Sequence, residues 1–221
     1  MVKTFQRSGE RLPLFTEGMR CHALCKSFAL EFNSLLGGAH AIDFAAAACF
    51  KTKPSSSSRT AEDTCISLEP FLAGTYVKYN GNAGHVGDRP EDPIHQAAQA
   101  FSHFTFERSR GRFLVCDLQG VGEVMADPVV HTADVNRFKL SRTNLGLEGM
   151  KLFFSSHECN DLCRRLGLKS NQNMLATGCL HVSRDVAGYG RCCVLLQQAL
   201  WAHLAARCGA FLVGLSGVPM V

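Results

Sequence analysis

The fold is decided by residues 102–132, which read SHFTFERSRGRFLVCDLQGVGEVMADPVVHT. Within them, residues 112–118 (RFLVCDL) form a short apolar run that is typical of a buried strand. Asp117 lies at the end of this run and a glycine-containing turn is predicted to follow, so we expect its carboxylate to face a pocket. Gln119 and Asp127 add two oxygen donors, which are the ligands that Mg²⁺ prefers. The pattern predicts a magnesium site, and the alternative is an ordinary turn with solvated acids.

A second motif lies further along the chain, where residues 157–163 read HECNDLC. If this stretch is helical, Cys159 and Cys163 lie four residues apart on one face, with His157 at the start of the helix. A structural zinc site needs a fourth ligand, and His103 is the candidate because it stands between aromatic residues that should be buried. The alternative is that the cysteines are small apolar fillers, His157 a surface residue and His103 an ordinary core histidine.

Apolar periodicity around these motifs predicts a mixture of helices and strands. Leu24, Phe28, Phe32 and Leu35 recur at spacings of three and four residues, which predicts a helix over 15–36 with one face packed on a sheet. The other predicted elements are strands within 64–79 with a turn at Gly74, exposed loops over 51–63 and 80–93, and helices over 93–106 and 150–168.

Composition and charge exclude several classes of protein. With 46% hydrophobic and 19% charged residues, the chain is neither wholly disordered nor fibrous. A net charge of +4 over 221 residues gives no basic footprint for nucleic acid or for an anionic membrane surface. The 11 cysteines are an odd number and the first residues, MVKTFQRSGER, do not form a secretory signal. We therefore expect reduced thiols and a cytoplasmic location.

The last part of the chain has a different composition, because residues 169–221 contain only five charged side chains. Gln197, Gln198, His203 and Gly209 interrupt its apolar residues, so no run is long enough for a membrane span. This segment is predicted to be a C-terminal extension of unknown structure.

Three segments together carry a resemblance to a known family. Residues 102–132 and residues 143–168, which read TNLGLEGMKLFFSSHECNDLCRRLGL, closely resemble the alpha-kinase family of atypical protein kinases. Residues 68–84, LEPFLAGTYVKYNGNAG, resemble the hinge and following loop of that family. The resemblance implies an α+β fold that is two-lobed and atypical-protein-kinase-like, with a structural zinc site in the large lobe. It places the kinase domain at 1–168, with a partial small lobe and hinge at 1–72 and the large lobe at 73–168.

The resemblance also implies roles for the residues of the two motifs. Asp117 matches the catalytic aspartate, and Gln119 and Asp127 match the magnesium-binding residues. The four zinc ligands of the family match His103, His157, Cys159 and Cys163.

Further residues match the nucleotide-binding positions of the family. Glu69 and Leu72 fall where the hinge backbone holds the adenine, and Asn144 falls in the loop near the phosphate and substrate region. Lys3 looks like the nucleotide lysine, which binds phosphate oxygens as a compact cation. Family members have further strands before this lysine, so we expect a small lobe that is truncated at its start.

The implied activity is that of a serine/threonine protein kinase, which transfers the γ-phosphoryl group of ATP to a protein hydroxyl. ATP, Mg²⁺ and Zn²⁺ are the implied cofactors, and the implied partner is a protein substrate. The alternatives are a catalytically impaired kinase fold and a zinc-stabilised interaction module.

Overall fold

The computed structural model describes residues 2–4, 11–38, 40–51, 65–134 and 136–170. Its helices and strands are, in chain order, β1 (Val2–Thr4), α1 (Arg11–Leu36), β2 (Asp43–Phe44), β3 (Ala48–Lys51), β4 (Cys65–Leu68), β5 (Tyr76–Lys78), α2 (Pro93–Arg108), β6 (Phe113–Cys116), β7 (Gln119–Val121), β8 (Val124–Ala126), β9 (Val129–Thr132), α3 (Gly146–Ser156) and α4 (Asp161–Arg165). Almost all of the predicted loop over 51–63 and of the predicted extension over 169–221 lies outside the described residues.

The described strands form three small sheets. One is antiparallel with the order β1-β4-β3, a second has the order β2-β8-β7-β5 with β2 parallel to β8, and the third pairs β6 with β9. Cys116 lies opposite Val129 in the third sheet, and Gln119 lies opposite Ala126 in the second. The intervening residues Asp117 and Asp127 therefore lie where two neighbouring chain segments cross from one sheet to the other.

Helix α1 buries one face, as its periodicity predicts. Leu24, Phe28 and Phe32 are buried, and the ring of Phe32 packs edge-on against Phe101 of α2 with the centroids 5.3 Å apart. The prediction that Leu35 belongs to this face is wrong, because its side chain is 60% exposed. At 3.6 residues per turn it lies roughly 60° away from Phe32 around the helix, so it falls at the edge of the stripe in the last turn.

Helix α2 confirms the prediction over 93–106 and extends it to Arg108. The side chain of Asp92 accepts a hydrogen bond from the Ile94 N–H at 2.8 Å, and Pro93 occupies the first helical position. Residues 97–106 are all buried, so the helix is covered on every side. It provides the rigid element against which the functional side chains are placed.

The prediction of one continuous helix over 150–168 is wrong. Helix α3 ends at Ser156, residues 157–160 are extended or irregular, and the short helix α4 starts at Asp161. Asn160 caps α4, since its Oδ1 accepts hydrogen bonds from the N–H groups of Leu162 and Cys163. The apolar periodicity continues through the break, which is why spacing alone conceals it.

Candidate functional site

Asp117 lies at the crossover immediately after β6. Its φ is 57°, a left-handed conformation that aspartate adopts more readily than most non-glycine residues. The predicted glycine turn does not follow directly, because Gly120 belongs to β7 and the turn lies at Gly122. A Cβ atom on Gly120 would collide with the carbonyl oxygen of Val124 on the paired strand. The sharp change of direction is therefore made by Asp117 itself.

Both carboxylate oxygens of Asp117 accept hydrogen bonds. Lys78 Nζ lies 2.6 Å from Oδ1, and Gln119 Nε2 donates to Oδ2 at 3.2 Å. Lys78 lies opposite Gln119 in the β5–β7 pairing, so the strand register holds the two donors side by side. The side chain of Asp117 is 16% exposed and that of Lys78 is 45% exposed. The carboxylate is thus fixed in orientation and remains open to solvent on one side.

A buried asparagine anchors the backbone that follows Asp117. Asn80 Oδ1 accepts a hydrogen bond from the Leu118 N–H, and its Nδ2 donates to Ser102 Oγ, both at 3.0 Å. The Leu118 carbonyl in turn accepts hydrogen bonds from the N–H groups of Tyr79 and Asn80. Because Asn80 is only 1% exposed, these protein partners replace all of its contacts with water. The network ties the crossover to α2.

Asp127 follows β8 and is exposed, with a φ of 49°. Its carboxylate, the carboxylate of Glu69 and the imidazole of His22 have potential ligand atoms within 4.8 Å of one another. Glu69, which follows β4, is only 8% exposed, and His22 belongs to α1. The hinge residue Glu69 therefore directs its side chain towards Asp127, and no pattern in the sequence indicates that His22 joins them.

The other predicted nucleotide residues lie in or after the β1-β4-β3 sheet. Lys3 lies opposite Ser67 in the β1–β4 pairing. Leu72 is half-buried in the segment that joins β4 to β5. The assignments of adenine to Glu69 and Leu72 and of phosphate to Lys3 stay predictions.

Asn144 organises the loop that precedes α3. Its Oδ1 accepts hydrogen bonds from the N–H groups of Thr132 and Gly146, at 3.2 and 3.0 Å. Its Nδ2 donates to the carbonyls of Arg137 and Phe138, both at 3.4 Å. The structure thus gives Asn144 a part in building the loop, and its predicted place near phosphate and substrate stays a prediction.

The fully buried His131 links this loop to the segment after β5. Its Nδ1 accepts a hydrogen bond from the Leu145 N–H at 3.1 Å, so the proton must lie on Nε2, which donates to the Asn82 carbonyl at 2.7 Å. Burial lowers the pKa of His131, which favours this neutral tautomer. A Cβ atom on Gly149 would collide with the imidazole ring, so α3 approaches this histidine closely.

The four predicted zinc ligands lie together. His103 Nδ1 is 3.2 Å from His157 Nε2 and 3.7 Å from Cys159 Sγ, and Cys163 Sγ is 3.7 Å from His157 Nε2. Ligands about 2.0–2.1 Å (nitrogen) and 2.3 Å (sulfur) from a tetrahedral zinc ion lie about 3.4 Å apart for two nitrogens and about 3.6 Å for nitrogen and sulfur. The residues present therefore fit Zn²⁺ in both ligand type and spacing.

The positions of these ligands differ from the expected single helical face. His157 follows the last residue of α3, Cys159 lies in the break, and only Cys163 is in α4. His103 comes from the middle of α2. The break between the two helices lets the side chains converge from different directions, as a tetrahedral site requires and one helical face does not allow.

Burial determines the electrostatics of this Cys/His group. It lowers the pKa of His103 to about 4 and that of His157 to about 3, where the nearby His103 adds to the effect. It raises the pKa of Cys163 to about 12. Neutral imidazoles are ready to bind a metal, whereas the thiols must lose a proton when the metal enters.

Besides His22, sequence reasoning missed Lys78, Asn80 and His131 around the site. Lys78 and Asn80 both lie in the motif YVKYN, residues 76–80, within the segment that resembles the hinge and following loop. Alternation predicts a strand there, but it cannot identify the partner strand, and their contacts with Asp117 and Leu118 depend on that pairing.

Comparison with known proteins decides the family. The model of the alpha-kinase family matches residues 1–163. The chain belongs to the alpha-kinase family. Its mixed helices and sheets match the apoenzyme alpha-kinase domain of myosin-II heavy chain kinase A with a TM-score of 0.67 and 30% sequence identity, over 76% of this chain and 62% of that one.

Two curated relatives illustrate the similarity. The alpha-protein kinase vwkA of Dictyostelium discoideum is 37% identical over 161 residues, which is 70% of this chain and 24% of that protein. The eukaryotic elongation factor 2 kinase of Homo sapiens is 50% identical over 101 residues, 46% of this chain and 13% of that protein. The chain thus spans a quarter or less of the length of these relatives.

In the part of this alpha-kinase chain that the structure describes, none of the helices has the length and hydropathy to span a membrane.

Proposed function

We propose that the chain is a protein kinase domain that transfers the γ-phosphoryl group of ATP to a serine or threonine hydroxyl of a protein. The observation that supports this most is the orientation of the Asp117 carboxylate, held by Lys78 and Gln119 next to the segment that carries Asp127. The names of its relatives, which are protein kinases, agree with the proposal. The comparisons give no support to the alternative of an impaired kinase.

Asp117 acts as the proton acceptor in this proposal. The substrate hydroxyl oxygen attacks the γ-phosphorus, its proton passes to the free side of the Asp117 carboxylate, and the bond from the γ-phosphorus to the bridging oxygen breaks to release ADP. Lys78 and Gln119 hold the carboxylate so that it need not reorient during the step. The ammonium group of Lys78 also places positive charge beside the transferred group.

Gln119 and Asp127 would hold Mg²⁺. Gln119 turns its amide nitrogen towards Asp117, so its carbonyl oxygen is directed away and is available as a ligand, and Asp127 supplies an exposed carboxylate. Bound Mg²⁺ supplies charge neutralisation at the phosphate oxygens. Oxygen donors of these two types are the ligands that this ion prefers.

The hinge and the adjoining sheet would hold the nucleotide. The backbone at Glu69 and Leu72 binds the adenine, Lys3 binds phosphate oxygens, and Asn144 keeps the loop before α3 in place near the phosphate and substrate. This assignment divides the kinase domain into a small lobe and hinge over 1–72 and a large lobe over 73–168.

The Cys/His group would hold a structural zinc ion. Four protein ligands fill a tetrahedral site and leave no position for a substrate, so the metal supplies cross-linking and no catalysis. His103 belongs to α2 and the other three ligands lie in or beside the α3–α4 break, so the site fastens these helices to one another.

The proposal predicts that Asp117→Ala abolishes phosphoryl transfer without unfolding the protein. We expect the rate to fall at least about 100-fold, since general base catalysis contributes about 10²–10⁴-fold. The measurement is incorporation of labelled γ-phosphate into the chain itself and into a pool of serine- and threonine-containing peptides. Asp127→Asn should also lower the rate, and excess Mg²⁺ should restore part of it, because the amide keeps an oxygen ligand but loses the charge.

The matched control is Glu123→Ala, which removes an exposed carboxylate. Glu123 lies in the turn between β7 and β8, the two strands that separate Asp117 from Asp127 in the sequence. This variant should keep the parental rate. Parental rates in both Asp117→Ala and Asp127→Asn would show that the catalytic and magnesium roles are misassigned. Circular dichroism and zinc content of each variant separate loss of activity from loss of fold.

A further inference from the structure

Glu17, in the second turn of α1, contacts a loop that is distant in the sequence. Its Oε1 accepts hydrogen bonds from the backbone N–H groups of Leu140 and Ser141, at 2.8 and 3.0 Å. Both residues lie in the loop that joins β9 to α3. The Ser141 N–H also points to the Phe138 carbonyl at 3.2 Å, whereas among the described residues Glu17 provides the only acceptor for the Leu140 N–H. One carboxylate oxygen thus holds two consecutive amides of the loop.

The charge of the loop suits a carboxylate at this place. Residues 136–147 contain three basic side chains, Arg137, Lys139 and Arg142, and no acidic one. All three are exposed. A hydrogen bond with a charged partner is also roughly twice as strong as one between neutral groups. Glu17 is therefore a stronger anchor for this loop than a neutral side chain would be.

The next turn of the same helix contacts the segment that carries Asp127. Cys21 lies four residues after Glu17, on the same face of α1, and its Sγ donates to the Pro128 carbonyl at 3.6 Å. Pro128 directly follows Asp127, which is assigned to the magnesium ion. Two successive turns of α1 therefore hold the loop and the magnesium segment in a fixed relation to each other.

The other side of the loop is tied to the neighbours of Asp117. Asn82 Nδ2 donates to the Thr143 carbonyl at 3.2 Å. Asn82 lies four residues after Lys78, whose Nζ contacts the Asp117 carboxylate. The short segment 78–82 thus contacts both the proposed proton acceptor and the loop, so the loop lies beside the proposed site of phosphoryl transfer.

We propose that Glu17 is a positioning residue for the protein substrate. It holds the loop over 137–145 in the conformation that receives the substrate next to Asp117, and it takes no part in binding ATP. This role rests on the proposed kinase function, which places the loop near phosphate and substrate. A released loop spends only part of its time in the receiving conformation, and the apparent affinity for the substrate falls by that fraction. The loss should therefore fall on the substrate and not on the nucleotide.

The first measurement is hydrogen exchange of the full zinc-loaded chain without nucleotide. Glu17→Ala should speed exchange of the Leu140 and Ser141 amides at least about tenfold, because a hydrogen bond to a charged group shifts an equilibrium by about that factor or more. Glu17→Gln keeps an oxygen acceptor and loses the charge, so its exchange should be intermediate. The matched control is Glu31→Ala, which removes a carboxylate of the same helix that pairs with Arg108 of α2 at 2.5 Å. It should leave the loop amides unchanged.

The second measurement is the steady-state rate of phosphorylation of one serine peptide chosen from the pool. In Glu17→Ala the KM for the peptide should rise at least about tenfold, while the KM for ATP stays within about twofold of the wild type. Glu17→Gln should again be intermediate, and Glu31→Ala should match the wild type. If Glu17→Ala loses its zinc and hence its fold, Glu17→Asp replaces it, because the shorter side chain keeps the charge but reaches the two amides poorly. It should change the two KM values in the same unequal way.

Three outcomes would overturn the proposal. Unchanged exchange of the loop amides in Glu17→Ala would show that the loop does not depend on this carboxylate. Equal increases in the KM for the peptide and the KM for ATP would make Glu17 an ordinary structural residue. A wild type that transfers no phosphate would refute the kinase function and with it the substrate role, whereas faster exchange in Glu17→Ala would still show that Glu17 holds the loop.

Discussion

Asp117 has to turn the chain between two sheets while it presents its carboxylate, and neighbouring side chains make this possible. A left-handed φ at a non-glycine residue costs free energy, which the surrounding contacts must offset. Lys78 and Gln119 hold the side chain, and Asn80 holds the backbone one residue later. The orientation of the Asp117 carboxylate therefore depends on residues that take no part in the proposed proton transfer.

Asn80→Ala should destabilise the protein by about 1–3 kcal/mol, because it leaves the buried Leu118 N–H without its partner. Asn80→Asp keeps the acceptor for the Leu118 N–H and loses only the donor to Ser102. We therefore expect the decrease in its free energy of unfolding to differ from that of Asn80→Ala. Urea unfolding of the zinc-loaded variants measures both. An unchanged unfolding midpoint in Asn80→Ala would show that water replaces the lost contact.

His131 should make stability depend on pH. Its folded-state pKa is lowered by burial, so between that value and the unfolded value of about 6.5 the unfolded chain binds a proton that the folded chain does not. The free energy of unfolding should therefore fall as the pH is lowered below about 6.5. His131→Gln should flatten this dependence and His85→Gln, at an exposed position, should not. Identical pH profiles for the wild type and His131→Gln would contradict the assignment.

The sequence yields candidate residues for the functional site, but it does not predict the contacts between them. Asp117, Gln119 and Asp127 are candidates because Asp117 follows an apolar strand and the other two place oxygen donors nearby in the sequence. Lys78 cannot be recognised as a candidate from the sequence, because a lysine in a short strand is ordinarily solvated. Its partner depends on the register between β5 and β7. His22 is hidden for the same reason, since its neighbours come from two distant segments.

At the scale of elements, the break between α3 and α4 decides the geometry of the Cys/His group. Periodicity predicts one helix because Met150, Phe153, Phe154 and Leu162 keep apolar residues at helical spacing on both sides of the break. The missed signal is Asn160 followed by Asp161, which is a helix start: an asparagine cap with an acidic residue in the first turn. The motif and the family resemblance suggest the four residues as ligands, whereas the direction of each side chain depends on the break.

Removing zinc should unfold the part of the chain that these helices build. Cys163→Ala should lose the metal and solubility together, because metal binding and folding are coupled in structural sites. Cys49→Ala, a half-buried cysteine outside the Cys/His group, is the control and should retain about one zinc per chain. Metal analysis and thermal unfolding measure the two effects. A soluble, cooperatively folding Cys163→Ala without zinc would exclude a structural role for the metal.

At the scale of the whole molecule, helix α2 and the β1-β4-β3 sheet differ in how fully they are buried. Residues 97–106 of α2 are buried on every side and carry both His103 and Ser102, so α2 connects the Cys/His group with the Asn80 network. The β1-β4-β3 sheet is less covered, since Phe50 and Leu68 are 40% and 37% exposed. Local opening is easier where fewer apolar contacts are made. We therefore expect the sheet and hinge to respond to ligands and α2 to remain unchanged.

Hydrogen exchange tests this division with two ligands that share the adenine. Adenosine should slow exchange of the backbone amides over 69–73 only, because we propose that the hinge backbone holds the base. A non-hydrolysable ATP analogue with Mg²⁺ should add protection over 117–128, where we propose that Asp117, Gln119 and Asp127 face the phosphates and the metal. The amides over 97–106 should exchange slowly in all three states, since they open only with the whole fold. Protection of 97–106 without protection of 69–73 would place the nucleotide elsewhere, because a ligand at the hinge cannot stabilise α2 before it stabilises its own contacts.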